Sequence, residues 1–250
     1  MPRSLHAEFQ KAWRRHDLLI CLLLPVIVLL WSGYSAPDGA GSTVNAFSAL
    51  FYSAPVMNAI LMPVGMAVLA NRLWDVEIKG SFPKLLYTLQ SRGSLFAAKA
   101  ALGFGEVFLI AALETACTLA VGRWKGYTEV IPPVHILYFF VCTLAVCTML
   151  FFSELLLSVL LTNPLPALCV GVVGALVGLF SAFMPPVVSL FVPWGYFIPL
   201  SSFVLVSWDA DTRIAVYGMR DFRWLLLFWA ILLAAGFFLF TWRAIRQKEV

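Results

Sequence analysis

Six long apolar stretches divide this chain of 250 residues, and they limit what it can fold into more than any other feature. They run from Leu18 to Trp31, Ala46 to Ala70, Leu95 to Val121, Val134 to Thr162, Leu165 to Met184 and Trp224 to Trp242. A helix that crosses a bilayer needs about 20 mostly apolar residues, since a backbone in hydrocarbon must satisfy its own hydrogen bonds. The second, third and fourth stretches exceed that length, so they should tilt, kink or project into water. Hydrophobic residues make up 62% of the chain and charged residues 12%. A soluble domain carries about twice that charge. This excludes a soluble enzyme, a disordered chain and a disulfide-stapled secreted domain. What remains is an all-α membrane protein, one transmembrane domain over 1–250. The first stretch is short and follows arginines, like a signal-peptide core. Five further spans and an organised leader argue that it is retained.

Lysine and arginine orient the spans. Arg3, Lys11, Arg14 and Arg15 precede the first span, Arg72, Lys79, Lys84 and Arg92 follow the second, and Arg243, Arg246 and Lys248 follow the sixth. With six spans these share one side, and both termini are expected in the cytoplasm. The other side holds Arg123, Lys125, Arg213, Arg220 and Arg223, the last three beside Asp209, Asp211 and Asp221. Pro185 to Trp208 is apolar enough for a seventh span, but Pro185, Pro186, Pro193 and Pro199 break its helical hydrogen bonding. A seventh span would also put the basic tail outside. Residues 185–223 are therefore expected to form broken, re-entrant helices on the outer side.

Two segments should lie at the inner surface. In the leader, residues 1–17, Leu5, Phe9, Ala12 and Trp13 share one helical face, and Lys11, Arg14 and Arg15 take the other. That pattern suits a helix in the membrane interface. The connection at 71–94 is the longest on this side. Ser81 suits an N-cap and Pro83 a first helical turn. Phe82, Leu85, Leu86 and Leu89 then recur at i, i+3, i+4 and i+7, beside Asp75, Glu77, Lys79 and Lys84. Such an exposed apolar face seeks either the lipid surface or a groove on another protein.

Ionisable residues within the spans are the candidates for function, because charge in hydrocarbon is costly. Lys99, Glu106 and Glu114 lie within about 80° on one face of span three, at 100° per residue. Glu154 lies in span four, between Lys99 and Glu106 in depth. Lys99 can snorkel to the interface or pair with Glu106 or Glu154. The glutamates can bridge helices, line a path for a cationic substrate, or carry protons. Trp31, Tyr34, Trp124, Tyr127, Trp194, Tyr196 and Trp208 near the outer ends fit an aromatic belt or a docking surface for an amphipathic peptide. Gly171, Gly174 and Gly178 should permit close helix packing.

Motifs for chemistry within the chain are missing. No GxxxxGK[ST] phosphate loop, HExxH or GxSxG occurs. His6, His16 and His135 make no metal site, and the cysteines sit singly in apolar runs. Ser153 beside Glu154 is a poor nucleophile–base pair, since adjacent helix residues diverge by about 100°. No catalytic residue, metal, chain-borne cofactor or nucleic-acid partner is expected.

The stretch Arg72 to Lys99 resembles the segment after the second span in ABC-2-type permeases, most of all lantibiotic-immunity permeases of the MutE, EpiE and MutG kind. Asp75, Glu77, Lys79 and Gly80 match their D-x-E-x-K-G step, and Lys84, Leu85 and Leu86 their K-L-L helix. Ser91, Arg92, Leu95, Phe96, Ala98 and Lys99 match the S-R-x-x-L-F-x-A-K lead into span three. Phe82-Pro83 departs from the pattern. The resemblance implies that Asp75, Glu77, Lys79, Gly80, Phe82, Lys84, Leu85, Leu86 and Leu89 couple the chain to a separate ABC ATPase, which holds ATP and magnesium. It further implies a second permease subunit, non-identical or a copy of the chain, and a bacterial plasma membrane. The implied role is to move a lantibiotic out of the membrane for immunity. An acidic lining at Glu106, Glu114 and Glu154 would suit such a cationic peptide. An ABC-2 exporter of a drug, lipid or glycan, and an ATP-independent carrier, are the rival readings.

Overall fold

The computed structural model of the chain describes residues 2–35, 46–79, 91–161, 163–208 and 215–247. Among them, six helices are long and apolar enough to cross a membrane. They are α2 (Asp17–Ser35), α3 (Ala46–Lys79), α4 (Arg92–Trp124), α5 (Pro133–Leu160), α6 (Pro164–Ser181) and α9 (Trp224–Gln247). A leading helix, α1 (Pro2–Arg15), precedes them. Between α6 and α9 lie two four-residue helices, α7 (Pro186–Ser189) and α8 (Phe197–Leu200), with a 3-10 turn at Pro193–Gly195 between these two. The expected plan of leader, six spans and interrupted outer helices holds.

A two-stranded antiparallel ribbon is absent from that plan. Strand β1 (Phe203–Trp208) pairs with β2 (Ala215–Met219), Phe203 opposite Met219 and Trp208 opposite Ala215. An irregularity between Leu205 and Ser207 leaves Val206 as an extra residue. The run FVLVSW has the β-branched and aromatic content that favours strands. Its apolar brevity hides that, because short apolar runs do not separate strand from helix.

Local chemistry sets the other boundaries. Pro133 and Pro164 start α5 and α6, where a missing amide hydrogen costs nothing. The Asn163 side chain accepts from Leu165 N at 3.0 Å, and Ser91 Oγ accepts from Ser94 N at 3.3 Å. Helix α3 does not stop at Ala70. It continues through Asn71, Leu73 and Trp74, all buried, to Lys79, with no glycine or proline on the way. The connection is thus shorter than 71–94. At 1.5 Å per residue, α3 is about 50 Å long, against about 30 Å of hydrocarbon. Its C-terminal end therefore projects on the side that carries Arg14, Arg15, Arg72, Arg243 and Arg246.

Helices α3 and α5 form the centre. Helix α3 packs on α2, α5 and α6; α5 also holds α9, and α4 lies against α2 and α5. Phe51 of α3 stacks on Phe203 of β1 and meets Phe139 of α5 edge-on, each at 5.1 Å between ring centres. The ribbon is thereby keyed into the bundle. At the opposite end, Phe96 of α4 packs against Phe238 and Trp242 of α9.

The α6 glycines serve two neighbours. A side chain at Gly171 would run into Ala67 and the Pro63 carbonyl of α3, so this position does permit helix packing. Gly174 and Gly178 instead seat the 3-10 turn. A Cβ at Gly174 would overlap the Trp194 indole, and one at Gly178 would lie 2.8 Å from the Trp194 carbonyl carbon.

Candidate functional site

The leader and the first span meet at an elbow built from charge. Helix α1 ends at Arg15, His16 takes a left-handed turn (φ 57°), and Asp17 opens α2. Asp17 is buried, and its two oxygens accept from different helices: Oδ2 from Arg15 Nε and Oδ1 from Arg72 Nε, each at 2.9 Å. Arg15 Nη1 donates to the Arg72 carbonyl at 2.9 Å, and Arg72 Nη2 donates back to the Arg15 carbonyl. One residue further along α3, the Leu73 carbonyl accepts from Lys99 Nζ at 2.9 Å. Lys99 also pairs with Glu8 of α1 at 3.0 Å, both side chains being almost wholly buried. Glu8 holds Lys11 with its other oxygen at 2.8 Å. The leader is thus locked to the projecting end of α3 and the start of α4, the helix ends on either side of residues 80–90.

Lys99 therefore does not snorkel outward but pairs with Glu8, and the Glu106 and Glu154 oxygens have no hydrogen-bond partner among the described residues. The leader's faces also divide differently from the expectation. Glu8 and Ala12 turn into the bundle, while Phe9 and Trp13 are exposed at 54% and 65%. Phe9 and Trp13 form the apolar face left for lipid. Leu5 lies among residues whose side chains are not described. Glu8, Asp17 and Asn58 were not legible as site residues. An acid within a basic leader, three residues from Lys11, was the available sign for Glu8.

The three glutamates face separate seams. Glu114 Oε1 accepts from Asn58 Nδ2 of α3 at 2.7 Å, with the carboxylate fully buried. Glu106 lies within electrostatic reach of Asp17, Arg15, Arg72 and Cys21, yet neither of its oxygens has a hydrogen-bond partner among the described residues. Glu154, likewise unpartnered, aims at the α3–α6 junction: a Cβ at Gly171 would lie 3.6 Å from its Oε1. Beside it, Ser158 Oγ donates to Asn71 Oδ1 at 2.9 Å. So the four intramembrane candidates do not converge. Three cavities of about 850, 470 and 290 Å³ are lined by none of them.

The outer end is held by other means. Arg220 donates to the carbonyls of Ser201 (2.7 Å), Pro199 (2.6 Å) and Ile198 (3.0 Å), tying the base of the ribbon to the end of α8. Burial, and then the neighbouring Arg223 charge, pull the Arg220 guanidinium below its ordinary pKa. Glu129 accepts from Ser48 N at 2.9 Å and so caps α3. The outer aromatic residues divide: Trp31, Tyr34, Trp124 and Trp208 are exposed, while Tyr127 and Tyr196 are buried and Trp194 is half-buried.

Of the coupling residues, Asp75, Glu77 and Lys79 occupy the last turns of α3, and their side chains are not described. Gly80, Phe82, Lys84, Leu85, Leu86 and Leu89, with the expected cap at Ser81 and first turn at Pro83, lie outside the described residues.

Six spans, a charge-locked leader and an interrupted outer segment define a multi-pass membrane protein. The chain belongs to the ABC-2 family transporter proteins, whose profile matches residues 4–192, well over half of its length. No curated protein matches it. Membership makes the chain the membrane component of an ABC transporter and implies an ABC ATPase as its partner. The match ends just before the 3-10 turn, so the ribbon and α9 lie beyond it.

Proposed function

We propose that this chain is the permease subunit of an exporter that moves a lantibiotic or similar cationic amphipathic peptide out of a bacterial plasma membrane. The observation that carries the coupling half of this reading is the elbow. Glu8, Asp17, Arg72 and Lys99 join the leader to both helix ends beside residues 80–90. A push on that segment by an ATPase would therefore move three helices together. Asp75, Glu77, Lys79 and Gly80, then Phe82, Lys84, Leu85, Leu86 and Leu89, are the proposed contacts. ATP and magnesium belong to the ATPase, both termini are cytoplasmic, and a second permease subunit completes the path.

The resemblance of Arg72–Lys99 to lantibiotic-immunity permeases supports a peptide substrate. Buried Glu106, Glu114 and Glu154 would supply negative charge if the seams around them open during transport.

Affinity purification in mild detergent from the native host tests the assembly, with recovery of an ATPase and a second six-span protein expected. Leu85→Asp with Leu86→Asp should abolish ATPase recovery by placing charge in an apolar contact; undiminished recovery would refute the coupling assignment. Deletion of the chain should sensitise cells to cationic lantibiotics. Unchanged peptide sensitivity with altered drug or glycan export would overturn the substrate reading. Glu106→Gln with Glu114→Gln that left resistance intact would remove these glutamates from the path.

A further inference from the structure

The largest of the three cavities named above has no place in the coupling scheme. It is an apolar groove of about 850 Å³ between the outer segment and the first turns of α9, lined by Phe191, Trp224, Phe228, Trp229 and Leu232 among others. Its rim carries Arg223 as the one charged lining residue. The exposed positions of α9, such as Leu225 and Phe228, place the groove on the outside of the bundle.

Arg223 differs from its neighbour Arg220, whose donors are spent on three carbonyls. The Arg223 backbone amide donates to Tyr138 Oη at 3.0 Å, which fixes the start of α9 against α5. Its guanidinium has no ion pair or hydrogen bond among the described residues, Asp221 included. An exposed cation with no ion-pair partner among the described residues thus stands at the mouth of an apolar groove near the membrane interface. A guanidinium binds phosphate oxygens by charge-assisted, bidentate hydrogen bonds, so an arginine at headgroup depth suits a lipid phosphate. The groove is also of a size that holds an extended amphiphile.

We propose that this groove binds an anionic phospholipid of the surrounding bilayer, its acyl chains along Phe228, Trp229 and Leu232 and its phosphate at Arg223. The site is independent of the transported substrate. The aromatic residues supply contact area at small entropic cost, and Arg223 supplies preference for negative charge.

Two lining residues, Trp224 and Trp229, make the site directly readable. The full-length chain in phosphatidylcholine nanodiscs is titrated with brominated phosphatidylglycerol or brominated phosphatidylcholine, and tryptophan quenching is followed. One cation near the surface predicts about fivefold preference for the anionic lipid. Arg223→Gln should bring the preference close to unity, and Arg223→Lys should keep most of it. Trp224→Phe with Trp229→Phe should remove the anion-selective part of the quenching. Equal quenching by both lipids in the wild type would overturn the proposal, as would selectivity that survives Arg223→Gln. Protection of both tryptophans from either lipid would do so too, and would show that a second copy of the chain or another protein covers the groove.

Discussion

The two ends of the bundle are held in opposite ways. At the basic end, ion pairs on buried carboxylates join helices: Lys99 to Glu8, and Arg15 and Arg72 to Asp17. At the outer end, shape does it: Gly174 and Gly178 receive the Trp194 turn, Phe203 stacks on Phe51, and Arg220 grips carbonyls. An ion pair in low dielectric is directional and depends on both partners. A glycine seat depends on volume alone. The basic end is thus suited to transmit a movement from outside, and the outer end to hold a fixed form around the spans.

The largest effect should come from halving an ion pair. Lys99→Ala leaves buried Glu8 with only the partly exposed Lys11 as counter-charge and should destabilise the protein by up to about 3–5 kcal/mol. Thermal unfolding in detergent measures this, and the Glu8→Ala, Lys99→Ala double variant should recover part of the loss. An additive double variant would break the contrast, since it would mean that the pair is not coupled.

Overpacking comes next. Gly178→Val drives a side chain into the Trp194 backbone, which cannot rotate away, and should cost about 1–3 kcal/mol. Its thermal shift should not depend on salt or on the Lys99 substitution. A smaller loss, about 1 kcal/mol, is expected for Arg220→Lys, because an ammonium cannot serve all three carbonyls in the guanidinium's geometry. Hydrogen exchange should then rise in the ribbon and not at the elbow. The smallest effect is a gain. A Cβ at Gly236 of α9 meets nothing within 4 Å, so Gly236→Ala should stabilise by up to about 1 kcal/mol through helix propensity. A loss there would indicate that another helix packs on this face.

How far the sequence carries the fold depends on the kind of signal. Spans are legible because each run must be apolar on its own, whatever it packs against. The extension of α3 to Lys79 was partly legible, since no breaker occurs before Gly80, but its polar composition reads as a connection. The ribbon was hidden because its strand residues are also good membrane residues. Among the site residues, Lys99, Glu106, Glu114 and Glu154 stand out by cost alone, as charge within hydrocarbon. Their partners did not, for Glu8 and Asn58 lie 91 and 56 residues away in the chain.

The number of spans, the uneven distribution of basic residues and the membership in a transporter family were determined by the sequence by itself. The spans follow from the cost of placing each segment in hydrocarbon, a sum over single residues, and the membership from the family profile over residues 4–192. Which charge faces which belonged to the tertiary structure. Lys99 had two candidate carboxylates, Glu106 and Glu154, and only the folding of the leader back onto α3 and α4 decided for a third, Glu8. The same holds for the glycines of α6, two of which face a turn that periodicity along one helix cannot reveal. Pair interactions depend on distances across the fold, and those arise only when the helices have packed.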